Sequence, residues 1–466
     1  MRPLKVNILP PCPPLLKLLG PSFIILGLGL GSGEIILWPY LTSNYGMGII
    51  WGALLGITFQ FFMNMEIERY ALAHGESVFV GLARELRWIS FWFLLSTFIP
   101  WVWPGIIASS AKLFGTVLGV GETKYLAIIF LVVIGLILSM GPILYKTVEN
   151  LQKTLILIGV PAIFLLSVIL AQQSHWVDLI KGSVGIGKDY YLLPAGISIA
   201  SFLAALAYAG AGGNLNLAQA FYIKEKGYGM GKYSGRITSV LTGKKEEISI
   251  TGTKFELTHE NIQNFKQWWK NINIEHFIIF WLTGSVTILL LGLLAYVTTF
   301  GLTGQAANIN FVLQEALVIG QNIFPFAGIF FLFIAGSTLF GTQLTVLDAT
   351  SRILSENLIL SAPSKLSEKK IPAIYYTVLW VQILGGVTIL LLGFAEPLQL
   401  LLIAAVLNAF AMFVHVGLTL WLNLTSLEKI LQPSFFRITI MIFAFLFYGG
   451  FSLYVLYDRL LKQLFI

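Results

Sequence analysis

The sequence predicts an all-α integral membrane protein whose helices form two inverted five-helix repeats and one extra span. Of its 466 residues, 57% are hydrophobic and 11% are charged, whereas an ordinary globular domain is about a quarter charged. The hydrophobic residues also fall in blocks of about 20 or more, the length that crosses a hydrocarbon core of about 30 Å as a helix. Two glycine-rich spans at matching positions predict the repeat.

Eleven spans are expected, and with five in each repeat the second repeat starts from the opposite side of the membrane. The spans run over approximately 20–44, 46–72, 88–111, 125–145, 151–171, 193–222, 276–301, 322–351, 372–394, 397–422 and 434–457. The chain then divides into an N-terminal tail (1–19), a first repeat (20–171), a second repeat (193–422) with a polar insertion (223–275), and the last span (434–457). The tail lacks the short apolar core of a signal peptide, so we expect the first span to be retained.

The basic residues predict the orientation of these spans. With the N-terminus in the cytoplasm, 23 of the 29 Lys and Arg residues lie in cytoplasmic segments and 6 on the other side. The positive-inside rule therefore predicts a multi-pass protein of the plasma membrane with a cytoplasmic N-terminus and an extracytoplasmic C-terminus. The net charge of +7 is explained by topology, and no nucleic-acid partner is implied. The single cysteine, Cys12, excludes an internal disulfide and a cysteine-based metal cluster, and no cofactor is expected.

Glycine clusters mark the first and sixth spans. The first contains LGLGSGEIILWP and the sixth AYAGAGGNLNLAQ. Since glycine weakens a helix and unpaired backbone at membrane depth survives only beside a buried site or a cavity, we expect both spans to be unwound, at 31–34 and 210–214, and to face each other. Such a pair is typical of a transporter with a substrate site at the midplane. The alternative is that these glycines only permit close helix packing.

The insertion predicts two local structures. Residues 236–257 alternate like a short hairpin that turns near 243–245, and the following segment places Ile262, Phe265, Trp268, Trp269 and Ile272 on one helical face. An amphipathic helix with tryptophans and lysines beside a span indicates an interfacial helix that anchors the protein to the cytoplasmic leaflet.

Glu34 is the most informative single residue. An ionisable side chain at membrane depth is costly and usually marks an ion or substrate path, although a glutamate here could also cap a half-helix. Backbone oxygens and its carboxylate would suit a hard cation, whereas free N–H groups would suit an anion. The expected substrate-binding residues are Gly31, Ser32, Gly33, Glu34, Tyr208, Gly210, Ala211, Gly213, Asn214 and Asn216, and the candidate metal ligands are Glu34 and Asn214.

Other polar residues offer a pathway for ions or protons. Span 8 carries a polar stripe of Thr338, Thr342, Thr345, Asp348 and Arg352 on one helical face, which indicates a wet pathway or, for the last two, a local ion pair. The end of span 2, with Glu66, Glu68, Arg69, His74 and Glu76, is expected to be a solvated rim. His276 and His415 are candidate proton carriers by residue type alone. No nucleophile and base pair or phosphate loop stands out, so an enzyme is not expected.

At these residues the chain resembles the Nramp (natural resistance-associated macrophage protein) divalent-metal transporter family, within the amino acid-polyamine-cation superfamily. The resemblance covers most of the chain and rests on the order of spans, the segment LTSNYGMGIIWGALLGITFQFFMNMEIERYALAHGES and the sixth-span sequence NLNLAQA. It implies a leucine-transporter-like fold and secondary transport by alternating access. The diagnostic motifs are altered: Gly-Ser-Gly-Glu at 31–34 replaces Asp-Pro-Gly-Asn, and Ala-Gly-Gly-Asn at 211–214 replaces Met-Pro-His-Asn.

These departures shift the expected substrate. The thioether and the histidine that suit soft transition metals are absent at Ala211 and Gly213, so the remaining set favours a hard cation such as Mg²⁺ or Mn²⁺, with proton coupling left open. The Gly-Ser-Gly stretch also resembles that of amino-acid carriers, so an amino acid or other small carboxylate is the alternative substrate. A non-transporting membrane scaffold or receptor is the hypothesis from a different class.

Overall fold

The computed structural model describes residues 4–140, 144–237, 248–302, 308–363 and 366–458, and it has helices at each of the eleven predicted spans. Ten helices are long and apolar enough to cross a membrane, and the sixth span consists of two shorter helices. The spans are, in order, Pro21–Tyr45, Met47–His74, Ile89–Leu118, Thr123–Met140, Leu144–Leu170, the helix pair Ile199–Ala207 and Gln219–Lys226, the second half of His259–Thr299, Pro325–Ser361, Glu368–Leu391, Pro397–Ser426 and Phe435–Leu456. Three further helices, Val78–Glu85, Gln173–Gly182 and Asn310–Asn322, connect them.

Span 1 is continuous, so the prediction that it unwinds at 31–34 is wrong. It runs as an α-helix to Gly29, as a π-helix over Leu30–Leu37 and again as an α-helix from Trp38. The reason is a side chain from span 8. The Thr342 hydroxyl donates to the Gly27 carbonyl (2.7 Å) and accepts from the Gly31 N–H (3.1 Å), so it stands between two groups that an α-helix would join directly. The inserted hydroxyl widens this turn into a π-helix, and the Gly27 carbonyl and the Gly31 N–H both keep a hydrogen-bond partner.

Span 6 is interrupted as predicted. Its first helix ends at Ala207, and helical structure resumes as a 3₁₀ turn at Gly213–Ala218 before the second helix. Gly210, Gly212 and Gly213 have φ values of 147°, 73° and 55°, in the left-handed region that glycine tolerates best. Gln60 of span 2 stabilises the break: its amide nitrogen donates to the Ala207 carbonyl (2.9 Å), and its oxygen accepts from the Gly212 N–H (3.2 Å).

The described parts of the N-terminal tail and the insertion cover one end of the helix bundle, which we call the N-terminal face (residues 4–20, 223–237 and 248–275). Lys5–Val6 pairs in parallel with Thr253–Lys254, and Trp268 Nε1 donates to the Pro10 carbonyl at 2.8 Å. The amphipathic helix of the insertion exists, but Phe265, Trp268 and Ile272 are buried within the protein. For these three residues the expectation of contact with lipid is wrong, because the tail and the rest of the insertion pack on them, whereas Ile262 and Trp269 are half-buried. The turn expected at 243–245 lies outside the described residues.

Candidate functional site

The continuous span 1 and the break in span 6 pack directly against each other, as predicted. A Cβ added to Gly29 would lie 2.7 Å from the backbone of Gly210, and a Cβ added to Gly33 would lie 1.6 Å from the Tyr208 carbonyl oxygen. Only glycine permits this approach, because real Cβ contacts are far longer. The glycine cluster of span 1 therefore makes room for the irregular backbone of span 6.

Glu34 is fully enclosed and its carboxyl group has no hydrogen-bond partner. Its side chain is 0% exposed, and both Oε1 and Oε2 lack a partner among the described residues. It faces span 7: a Cβ added to Gly284 would lie 3.7 Å from Glu34 Oε1, and that glycine also contacts Leu26 and Ile57. An ionised carboxylate left alone in such a place costs several kcal/mol, so this group needs a proton or a bound cation.

The asparagines of the break contact other helices. Asn214 Nδ2 donates to Ser96 Oγ (2.8 Å) and Thr97 Oγ1 (3.0 Å) of span 3, so this residue and Glu34 contact different neighbours. Asn216 Nδ2 donates to Gln60 Oε1 (3.1 Å) and Asn64 Oδ1 (2.8 Å) of span 2. In both residues Oδ1 is buried and has no partner among the described residues. Each amide is thus held by its nitrogen and presents a free oxygen.

Span 10 completes the surroundings of the break. Asn408 Nδ2 donates to the Tyr208 hydroxyl (3.0 Å) and leaves its own Oδ1 free, and His415 Nε2 lies 3.0 Å from the Gly213 carbonyl oxygen. The Tyr208 ring stacks on Trp101 of span 3 with centroids 5.5 Å apart. The remaining predicted site residues, Ser32 and Ala211, are buried at the same interface. The site is therefore closed from both ends in this conformation.

Sequence reasoning missed four residues here: Gln60, Asn64, Trp101 and Asn408. The first two could have been found, because Gln60, Asn64 and Glu68 recur at steps of four along a mainly apolar helix and so share one face. The other two carry no such signal. A single asparagine or tryptophan in a membrane span is ordinary, and only the fold places Trp101 and Asn408 beside the break.

The polar stripe of span 8 lies on one face of a continuous helix and is buried in the protein interior, and its role as a wet pathway stays a prediction. Thr342 contacts span 1 as described, Thr345 Oγ1 accepts from Gln152 Nε2 of span 5 (2.6 Å), and Thr338 bonds back to its own helix. Arg352 Nε lies 2.9 Å from Asp348 Oδ1, so the local ion pair forms. It also extends beyond its helix, because Arg352 pairs with Glu225 of the sixth span.

The solvated rim expected at the end of span 2 is wrong. The five side chains concerned are at most 9% exposed: Glu66, Glu68, Arg69, His74 and Glu76. Spans 10 and 11 and the insertion cover them. Glu66, for example, pairs with Arg69 (2.7 Å) and with Arg437 of span 11 (3.3 Å), and it accepts from Asn423 of span 10.

The donor set limits the kind of metal site that the interior could form. Within the described ranges, no group of three or more His, Cys, Asp or Glu side chains is placed to hold a metal ion. Around the break, the unpartnered oxygens include the carboxylate oxygens of Glu34 and the amide oxygens of Asn214, Asn216 and Asn408. Three nitrogens are also unpartnered there, Asn64 Nδ2, Trp101 Nε1 and His415 Nδ1. Oxygen atoms of this type suit hard cations.

Comparison with solved structures establishes the fold. The chain is similar to crystal structures of two mutants of a manganese transporter from Eremococcus coleocola, each with a TM-score of 0.70, 12% identity, and coverage of 98% of this chain and 90% of that one. It is also similar to MhsT in complex with L-phenylalanine, with a TM-score of 0.53, 14% identity, and coverage of 93% and 97%. The chain therefore has the leucine-transporter fold. No protein-family model and no curated protein matches it.

Proposed function

We propose that this protein is a Nramp-related secondary transporter that moves a small cation across the plasma membrane by alternating access, with a hard divalent cation such as Mg²⁺ or Mn²⁺ as substrate. The observation that carries the proposal is Glu34, a buried carboxyl group with two unpartnered oxygens beside a broken helix. A protein has no structural reason to keep such a group at membrane depth. A cation that binds there and a proton that replaces it both satisfy it.

The structure favours a cation over the alternative carboxylate substrate. A carboxylate held by the Gly-Ser-Gly stretch would need free N–H groups in an unwound span 1. Span 1 is helical over this stretch, and the Gly31 N–H already donates to Thr342. Glu34, Asn214, Asn216 and Asn408 around the break present unpartnered oxygens, and the one formal charge among them is the negative charge of an ionised Glu34, which attracts a cation.

The fold by itself does not choose between these substrates. It is shared by a manganese transporter and by a protein that was crystallised with L-phenylalanine. The choice rests on the side chains: at the altered motifs the chain has Ala211 and Gly213, so it offers no thioether or imidazole at these positions. A hard, partly hydrated cation fits this set better than a soft one.

Alternating access requires one end of the helix bundle to face the cytoplasm and the other to face the outside. By the positive-inside rule we expect the N-terminal face to be cytoplasmic, and the helix Asn310–Asn322 then lies on the outer side. Both ends are closed around Glu34, which corresponds to an occluded state. Opening of either end would give the cation, and any coupled proton, access to one compartment at a time.

The test is Glu34→Gln, which keeps the shape and removes the charge. We expect Mn²⁺ and Mg²⁺ binding to purified protein to weaken about tenfold or more at every pH, with uptake into proteoliposomes reduced in parallel. The matched control is Glu315→Gln, which changes another fully buried glutamate with an unpartnered oxygen away from the break.

The outcomes separate the roles of Glu34. Binding that persists but loses its pH dependence would identify Glu34 as a proton carrier instead of a ligand. Tighter binding of a carboxylate by Glu34→Gln would favour the alternative substrate class. Unchanged binding, uptake and pH dependence would make Glu34 a structural residue, and the proposal would lose its main support.

A further inference from the structure

A second set of buried polar side chains lies below the break, where spans 1, 2 and 7 meet. His276 Nδ1 lies 2.7 Å from Ser22 Oγ and 3.4 Å from Glu68 Oε1. The Ser22 hydroxyl donates in turn to Glu275 Oε2. Carboxyl, imidazole, hydroxyl and carboxyl groups therefore follow one another within hydrogen-bond reach, and we call them the Glu68–Glu275 chain.

Packing does not require these groups. Glu68 and His276 are 0% exposed and Glu275 is 3% exposed, and both Glu68 Oε2 and His276 Nε2 lack a partner among the described residues. Each unpartnered polar atom inside a protein costs about 1–3 kcal/mol. Apolar side chains of similar size would remove that cost, so the arrangement favours a functional explanation.

The Glu68–Glu275 chain runs between the break and the N-terminal face. At its inner end, Glu68 accepts from Gln219 Nε2 at 2.6 Å, at the start of the second helix of span 6. At its outer end, Glu275 accepts from the Gly20 N–H (3.4 Å), where the tail enters span 1. A proton that passed from His276 through Ser22 to Glu275 would move from the interior of the bundle towards one of its ends.

Phe280 contacts both this chain and the break in span 6. It belongs to the π-helical segment Phe277–Leu282 of span 7, and its ring stacks on His276 with centroids 4.7 Å apart. A Cβ added to Gly210 would lie 3.0 Å from Phe280 Cζ, so the ring also contacts the break. Movement of the break would therefore shift a ring that packs on the face of His276. π-Helical segments are frequent at such functional positions.

Charged and titratable groups from the neighbouring elements face the chain. Arg437 of span 11 interacts electrostatically with Glu68 and His276, and Lys226 at the end of span 6 interacts with Glu275. Tyr145 and Glu149 of span 5 and Tyr228 of the insertion face it from the third side. The two positive groups are shared with carboxylates outside the chain, because Arg437 also pairs with Glu66 (3.3 Å) and Lys226 with Glu149 (2.9 Å).

We infer that His276, Ser22 and Glu275 form a proton relay, beside which Glu68 stabilises the protonated imidazole, and that this relay connects the transport site to the N-terminal face; the inference rests on the proposed transport function. A proton arriving at His276 Nε2 forms a new N–H bond there. The Nδ1–H bond breaks as its proton passes to Ser22 Oγ, and the original Ser22 O–H proton passes to Glu275 Oε2. Glu68 stabilises the transient imidazolium, and Glu275 releases its proton at the N-terminal face.

Ser22→Ala tests the relay, because it removes one hydroxyl and no charge. Proteoliposomes would receive an inward gradient of Mn²⁺ or, in parallel, of Mg²⁺, with cation entry and internal pH followed by separate dyes. We expect the acidification that accompanies uptake to fall about tenfold or more, while cation binding stays unchanged. Ser22→Thr keeps a hydroxyl and should restore acidification. Ser90→Ala, at a buried serine outside the relay, is the matched control and should match the wild type.

Each outcome decides. Acidification at the wild-type level in Ser22→Ala would overturn the relay, and so would its loss in Ser22→Thr or Ser90→Ala. If the wild type takes up cations without acidification, the relay is wrong and the proposed transporter stands. If the wild type moves neither cations nor protons, both are wrong.

Discussion

At the scale of single residues, glycine has two separate roles in this protein. Gly212 and Gly213 adopt positive φ angles that other residues rarely adopt, whereas Gly33 is helical and is needed because the Tyr208 carbonyl lies where a side chain would begin. The sequence shows the same letters in both places. Only the folded structure distinguishes a glycine that is needed for its positive φ angle from a glycine that is needed because another backbone lies against it.

Gly33→Ala should therefore destabilise the protein strongly. The added methyl group would overlap the backbone of Tyr208, and rotation of a side chain does not relieve a clash with backbone. We expect a loss of about 3 kcal/mol or more in the free energy of unfolding, or failure to fold, measured in detergent. The control is Gly450→Ala in span 11, where nothing lies within 4 Å of the added carbon. Equal stability of the two variants would contradict the close contact between spans 1 and 6.

At the scale of the element, the sequence predicts both glycine-rich spans to break, and only span 6 does. Both spans have a similar glycine-rich sequence, and the difference comes from Thr342. Its hydroxyl accepts a hydrogen bond from the Gly31 N–H, which is 311 residues away along the chain. Composition, span length and the helical stripe of span 8 could be predicted because they depend on local periodicity. The state of span 1 could not, because it depends on one hydroxyl from a distant helix.

Thr342→Val tests this explanation with little change in shape. The variant lacks the hydroxyl, so the Gly27 carbonyl and the Gly31 N–H both lose their partner in the membrane interior. We expect a loss of about 2–5 kcal/mol in the free energy of unfolding. Thr342→Ser keeps the donor and acceptor and should lose much less. If the Val variant were as stable as the Ser variant, the Gly27 carbonyl and the Gly31 N–H would form their hydrogen bonds within span 1 without the Thr342 hydroxyl.

At the scale of the whole molecule, the sequence predicts the number of spans and the contact between the two repeats, but not how charge is buried. The residues at the end of span 2 look like a solvated rim because they are charged and follow an apolar run. They are interior because the insertion and spans 10 and 11, more than 100 residues away along the chain, pack over them. The same distance hides the Glu68–Glu275 chain, whose four members come from three different helices.

A buried acid outside the membrane spans gives a pH prediction. Glu315 lies on the connecting helix Asn310–Asn322, and burial raises the pKa of this carboxyl well above its usual range. Because the pKa of Glu315 is higher in the folded than in the unfolded protein, the protonated carboxyl group favours the folded state. This contribution to stability is complete below the pKa of the unfolded protein, about 4.3, and is lost as the pH rises through the pKa of the folded protein. The wild type should therefore lose thermal stability as the pH rises from acidic to alkaline, whereas Glu315→Gln has no carboxyl group to ionise at this position. The melting temperature of the variant minus that of the wild type should increase over this range.

Melting temperatures of both proteins in detergent across that range would measure the effect. Glu122→Gln is the control, because this side chain is largely exposed and the variant should follow the wild-type pH dependence. A constant difference between Glu315→Gln and the wild type at every pH would show that Glu315 has the same protonation state in the folded and unfolded protein.

The attachment of the N-terminal tail also sets an order of events during synthesis. The tail leaves the ribosome first, yet Cys12 binds Asn264, which follows 252 residues later. At a translation rate of about 5–20 residues per second, its partner appears roughly 13–50 s afterwards. The first six spans are made during this interval, before the helix that holds the tail exists. The nascent protein must therefore remain inserted with its N-terminal face uncovered, and the tail closes that face only as the seventh span is being made.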